Sequence, residues 1–147
     1  MEGSFHIFRR GEVVLLYFGY TNCPDICPLV MSRFAYLEEK LGDDIDEVAM
    51  ILVATDPERD TPDALRRYVE RYSSRIIALT GTPQQIEEVL KLYGIYSEKS
   101  LEEDREYLIP HFALVIVADK NMVMRYALTP EMEPDEYVRA VRYLLER

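Results

Sequence analysis

No stretch of about 18 apolar residues occurs in this chain, so no part of it reads as a helix that crosses a membrane. The opening residues, Met1-Glu-Gly-Ser-Phe-His6, do not read as a signal peptide either. A membrane anchor is expected to be absent from this chain, and to lie outside it if the precursor carries one. Cysteine is scarce: there are 2 in 147 residues, which excludes a scaffold built on disulfides. An excess of basic residues is missing too. Lys and Arg number 17 against 27 Asp and Glu, a net charge of -10. Nucleic acid is thereby an unsuitable partner, because carboxylates would face phosphates. The acidity keeps the protein in solution and also suits a basic protein partner.

What is present fits one domain over residues 1–147. With 48% apolar and 30% charged residues the chain can bury a core without a structural metal. Val13 to Phe18 is a continuous apolar run, as in a strand buried on both faces. A helix is expected from Pro24 to Leu41, with Val30, Phe34, Leu37 and Leu41 on one stripe and Gly42 ending it. Val48 to Ala54 reads as a second buried strand. Thr61 and Pro62 open a helix with Leu65, Tyr68, Val69 and Tyr72 on its apolar face. Arg75 to Leu79 is a short strand. Thr82 and Pro83 open a third helix, which carries Ile86, Val89, Leu90 and Tyr93 and closes at Gly94. Residues 96–107 are polar and acidic and read as a loop. Phe112 to Val117 and Met122 to Tyr126 form a hairpin about a turn at Asp119 to Asn121. Pro134 opens the last helix, with Tyr137, Val138, Val141, Leu144 and Leu145 buried. The order β-α-β-α-β-α-β-β-α implies an α/β fold with a mixed central sheet flanked by helices.

The two cysteines, Cys23 and Cys27, follow a buried strand and open a helix. A helix N-terminus offers free N–H groups and positive partial charge, both of which favour thiolate over thiol. A spacing of four sets both sulfurs on one helix face. They can close a disulfide after modest backbone adjustment, or pinch one metal ion. Two inert core cysteines would not require Pro24 and Pro28 beside them.

Only two histidines exist. His6 reads as surface decoration near a terminus. His111 starts the strand Phe112 to Val117, and would lie beside the start of the first helix if that strand neighbours Val13 to Phe18. Two thiolates and one imidazole suit Cu(I), whereas zinc wants a fourth ligand that this set does not offer. Met31 reads as core and not as a ligand. Asp25 reads as a solvated acid of the first helical turn. Asp56, Glu58, Arg59 and Asp60 read as a capped turn shaped by Pro57 and Pro62.

At these residues the sequence resembles the Sco (SenC) family, thioredoxin-fold copper proteins that assist assembly of the copper site of cytochrome c oxidase. The resemblance is carried by Tyr17-Phe-Gly-Tyr-Thr-Asn-Cys-Pro-Asp-Ile-Cys-Pro28, by Asp56-Pro-Glu-Arg-Asp-Thr-Pro62 and by Leu79-Thr-Gly-Thr82. It implies a thioredoxin-like fold, with copper as Cu(I) or Cu(II) held by Cys23, Cys27 and His111. It further implies a Cys23–Cys27 pair that cycles between dithiol and disulfide, and a respiratory oxidase subunit or another copper or thiol protein as partner. The implied place of action is extracytoplasmic, in a periplasm or at a membrane. The chain departs from the family in having Pro110 before His111, where an acid is usual. A proline at the matching place in thioredoxins is held cis, and the Ile109–Pro110 bond is expected to be cis here. The second departure is a short leading segment.

The alternative reading is a metal-free thiol-disulfide oxidoreductase that reduces a partner's cysteines. A peroxidase is disfavoured, because the expected Thr-x-x-Cys arrangement with a supporting Arg is not found.

Overall fold

Two strands without a polar face organise the molecule. A computed structural model describes residues 11–20, 26–56, 58–92 and 114–147. In it β1 (Val13–Gly19) and β2 (Val48–Ala54) are buried at every position. They pair in parallel, Val13 with Val48 through Gly19 with Ala54. The sheet is completed by β3 (Ile76–Leu79), β4 (Val115–Ala118) and β5 (Met124–Leu128), in the order β3-β2-β1-β4-β5. β3 joins in parallel and β4 and β5 antiparallel, so the sheet is mixed, as expected. Alternate side chains of β1 point to opposite faces. Val13, Leu15 and Tyr17 join one cluster with residues of α1 (Ile26–Leu41), α2 (Pro62–Glu70) and α4 (Pro134–Leu145). Val14, Leu16 and Phe18 join a second with Ile86 of α3 (Pro83–Leu92).

The helices form where local chemistry starts and stops them. In α1, Val30, Met31, Phe34 and Leu37 are wholly buried. Its end is Gly42, whose φ of 58° suits a residue without Cβ. Gly42–Glu47 then makes a 3-10 helix that anchors Ile45 in the core, an element the sequence pattern did not announce. At α2 the Thr61 hydroxyl accepts from the Ala64 N–H at 3.2 Å, and Pro62 takes a first-turn position that needs no N–H. At α3 the cap is reciprocal: Thr82 Oγ1 accepts from Gln85 N–H at 3.2 Å, and Gln85 Oε1 accepts from Thr82 N–H at 2.9 Å. Three polar contacts bind α1 to the α4 region. Tyr36 donates to Asp135 at 2.5 Å, Arg33 to the Met132 carbonyl at 3.1 Å, and Arg142 to the Lys40 carbonyl at 2.8 Å. The last of these satisfies a carbonyl at the helix end. Tyr137 is buried and donates to the Thr129 carbonyl at 2.8 Å; burial pushes its pKa up to about 12.

Several strand boundaries differ from the sequence expectation: β1 runs one residue further, to Gly19, and β4 ends one residue later, at Ala118, with Leu114 outside it. The third strand begins at Ile76, because Arg75 is committed to polar partners: its guanidinium meets Asp46 at 2.8 Å and its N–H donates to Ser73 Oγ at 3.0 Å. The last strand is Met124–Leu128 and not Met122–Tyr126. The cause is Asp119. Its carboxylate accepts from the N–H groups of Asn121 and Val123, at 2.9 and 3.0 Å, and from Arg125 at 2.7 Å. These bonds hold its pKa below the usual carboxylate value. Its carbonyl accepts from the Met122 N–H at 2.9 Å. The turn thus extends to Met122, whose φ is 66°.

A left-handed φ costs a residue with a Cβ about 1–2 kcal/mol. Glycine avoids that cost but loses about 0.5–1 kcal/mol through the freer unfolded chain. Met122→Gly is therefore expected to stabilise the fold by about 0.5–1 kcal/mol, read as a higher urea midpoint at unchanged slope. An unchanged or lower midpoint would contradict this account of the turn.

The expected helix start at Pro24, the stripe residue Tyr93, the stop at Gly94, the loop 96–107 and the strand start at Phe112 lie outside the described residues. Among the described residues, no helix is long and apolar enough to cross a membrane.

Candidate metal centre at one edge of the sheet

The strand register gathers several chain segments at one edge. Gly19, the last residue of β1, pairs with Ala54, the last of β2. Leu79, the last of β3, pairs with Val53. β4 runs the other way, so its first residue, Val115, pairs with Tyr17 near the end of β1. The condition attached to His111 is therefore met: the strand that follows it neighbours β1. Ligand sites in open α/β sheets lie outside the carboxyl ends of the parallel strands, where the strand order reverses, here beside β1.

The chain leaves β1 at this edge and reaches the cysteines within a few residues. Cys27 is the second residue of α1 as described. Cys23, Asp25, Pro110, His111 and His6 lie outside the described residues, as does the Ile109–Pro110 bond expected to be cis. Met31 is wholly buried and belongs to the core cluster, as its reading as core requires. Among the described residues, no group of three or more His, Cys, Asp or Glu side chains is placed to hold a metal ion.

The turn after β2 closes the other side of this edge. Thr55 donates to the Gly19 carbonyl twice, from its N–H at 2.8 Å and from its hydroxyl at 3.3 Å. The Asp56 carbonyl accepts from the N–H groups of Arg59 and Asp60, and the Asp56 carboxylate meets Arg59 at 3.6 Å. This is the capped turn expected from its sequence. Its departure from expectation is Asp60, only 1% exposed. Nothing in the run Asp56 to Asp60 distinguishes that acid from the exposed Glu58; only the packed turn does. The Thr55 link to Gly19 had no sequence signal either, since it joins residues far apart in the chain.

Comparison with known proteins matches this arrangement throughout its length. The SCO1/SenC family model matches residues 8–146. The protein SCO1 homolog 1, mitochondrial, of Arabidopsis thaliana is 35% identical over 123 residues, which are 83% of this chain and 34% of that protein. This chain spans 34–56% of the length of the curated relatives it matches. Among solved structures, ScoI of Bradyrhizobium japonicum with copper bound superposes with a TM-score of 0.75 at 24% identity, covering 92% of this chain and 87% of that one. BsSco, a member of the Sco family of cytochrome c oxidase assembly proteins in which a disulfide switch has been identified, superposes with a TM-score of 0.69 at 23% identity, covering 93% and 82%. The sheet order, the cysteine-bearing start of α1 and the extent of the family match agree: the chain belongs to the SCO1/SenC family.

Proposed function

We propose that this protein carries copper on Cys23, Cys27 and His111 and acts in maturation of the copper site of cytochrome c oxidase. The observation that carries this reading is the pairing of β4 with β1, which supports a single site drawing on both ends of the sequence. The donor set fits the metal. Two thiolates and an imidazole provide three soft or borderline ligands, which Cu(I) accepts and harder ions do not favour. Copper is here the cargo and not a fixed cofactor. Copper is bound in the related ScoI of Bradyrhizobium japonicum, and BsSco belongs to a family of oxidase assembly proteins. The partner is a respiratory oxidase subunit or another copper or thiol protein, met outside the cytoplasm at a respiratory membrane. A chain of net charge -10 suits a basic docking patch on that partner.

A second reading uses the same pair without metal, and the disulfide switch of BsSco favours keeping it. One thiolate attacks a partner disulfide and forms a mixed disulfide. The second thiolate then attacks that bond, giving Cys23–Cys27 and a reduced partner dithiol. Two electrons pass to the partner, and the protons lost from this pair are matched by those taken up by the leaving thiols. Pro110, in place of an acid beside the third ligand, weakens the hydrogen bonding that orients a metal-bound imidazole.

The readings part on one measurement. Reduced wild type and His111→Ala are titrated with Cu(I) against a competing chelator. The variant is expected to bind at least about tenfold more weakly, since even outer partners of metal ligands are worth 10–100-fold. Equal affinities would remove His111 from the site and favour the metal-free reductase.

A further inference from the structure

The hairpin turn at the other end of the sheet carries chemistry that the cysteine site does not use. Of the 6 methionines in the chain, Met31 and Met50 are buried, at 0% and 1% exposure. Met122, in the turn, and Met124, the first residue of β5, are 42% and 59% exposed and stand two residues apart in the sequence. Val123 between them is 46% exposed. Methionine ordinarily fills gaps in cores, and a hairpin turn ordinarily carries polar residues or glycine.

The turn is also firmly built. Asp119 holds Asn121, Val123 and Arg125 through its carboxylate. Met122 occupies the left-handed position that such turns reserve for glycine or asparagine. A side chain kept at a strained position, and exposed there, points from the strain to a use for that side chain.

We propose that Met122 and Met124 form a second, weaker soft-metal site, whose two thioether sulfurs take Cu(I). Thioethers select Cu(I) over zinc, magnesium and calcium. They need no deprotonation, so this site takes metal over a pH range in which thiolates are still protonated. Binding is simple association: Cu(I) exchanges water or a carrier's ligand for sulfur, with no change of oxidation state. The carboxylate of Asp119 is engaged by Arg125 and the backbone, which leaves the soft donors as the distinguishing feature of the turn. β4 separates the two sites. Ala118, beside the turn, pairs with Val14 at the start of β1, whereas Val115 pairs with Tyr17 at the cysteine edge. The methionine pair is thus a separate holding place, and the inference takes its metal from the copper reading above.

The test uses the full chain as Cys23→Ser/Cys27→Ser, labelled with 13C at the methionine methyls. It is titrated with Ag(I), a redox-inert stand-in, in chloride-free buffer, and then with Cu(I) under ascorbate against a weak chelator. The Met122 and Met124 methyls are expected to shift together and saturate at one ion, while Met31 and Met50 stay in place. Met124→Leu is expected to weaken binding at least tenfold, as is Met122→Gly, whose fold the turn geometry favours. Absence of a shift, or equal affinity in both variants, overturns the proposal. If the parent chain with its cysteines fails to hold Cu(I) while these methyls respond, the cysteine reading alone falls. If the cysteines hold Cu(I) and the methyls are silent, the methionine site alone falls.

Discussion

If the proposed copper site is right, Cys23→Ser/Cys27→Ser is expected to bind Cu(I) on the order of a thousandfold more weakly than the wild type, because the exchange would remove both soft anionic donors. Serine is nearly the same size and stays protonated at neutral pH, so the variant loses ligand charge and softness and little else. His111 alone offers one imidazole, and a single borderline donor does not retain Cu(I) against a competing chelator. Folding should be almost unaffected. The loop that a Cys23–Cys27 disulfide closes is too small to restrict the unfolded chain much, and α1 is held by Val30, Met31, Phe34 and Leu37 beyond the pair. The check is competition for Cu(I) alongside a urea curve. Affinity within tenfold of wild type, at unchanged stability, would show that the cysteines are not the copper clamp.

Phe34→Ala is expected to cost about 3–5 kcal/mol, the range for removing a buried aromatic ring. Phe34 has no exposed surface and lies in the cluster that unites α1, α4 and one face of the sheet. Domains commonly have about 5–15 kcal/mol in all, so the variant should sit near the edge of stability at 37 °C. Phe34→Leu fills most of the space and should cost clearly less. A urea curve for each variant decides it: equal losses would mean that the site collapses freely around either side chain.

Much of the fold was legible because its central strands have a simple cause. Val13 to Phe18 and Val48 to Ala54 are apolar throughout, and runs this short, rich in strand formers, suit strands covered on both faces. Thr61-Pro62 and Thr82-Pro83 marked helix starts for the same local reasons that the capping bonds display. The misplaced strand at Met122 had a cause that composition does not carry. One carboxylate, Asp119, gathers two backbone N–H groups and an arginine, and so lengthens the turn. The 3-10 helix Gly42–Glu47 was hidden for a related reason, as one buried residue, Ile45, gives no periodicity to read. Of the candidate site, the cysteine pair announced itself by spacing and by its place after a buried strand. His111 had no local signal strong enough to stand alone, and its assignment drew on family resemblance.

The register of β1 has a consequence for how the chain is made. β1 finds β2 a short distance along the sequence, but its other neighbour, β4, arrives about 100 residues later. A nascent chain that has emerged as far as β3 can pair three parallel strands while one long side of β1 remains open. That open side presents unpaired backbone N–H and C=O groups on an apolar strand, a ready template for mispairing. Until β4 has emerged, that edge of β1 has no strand of this chain to pair with.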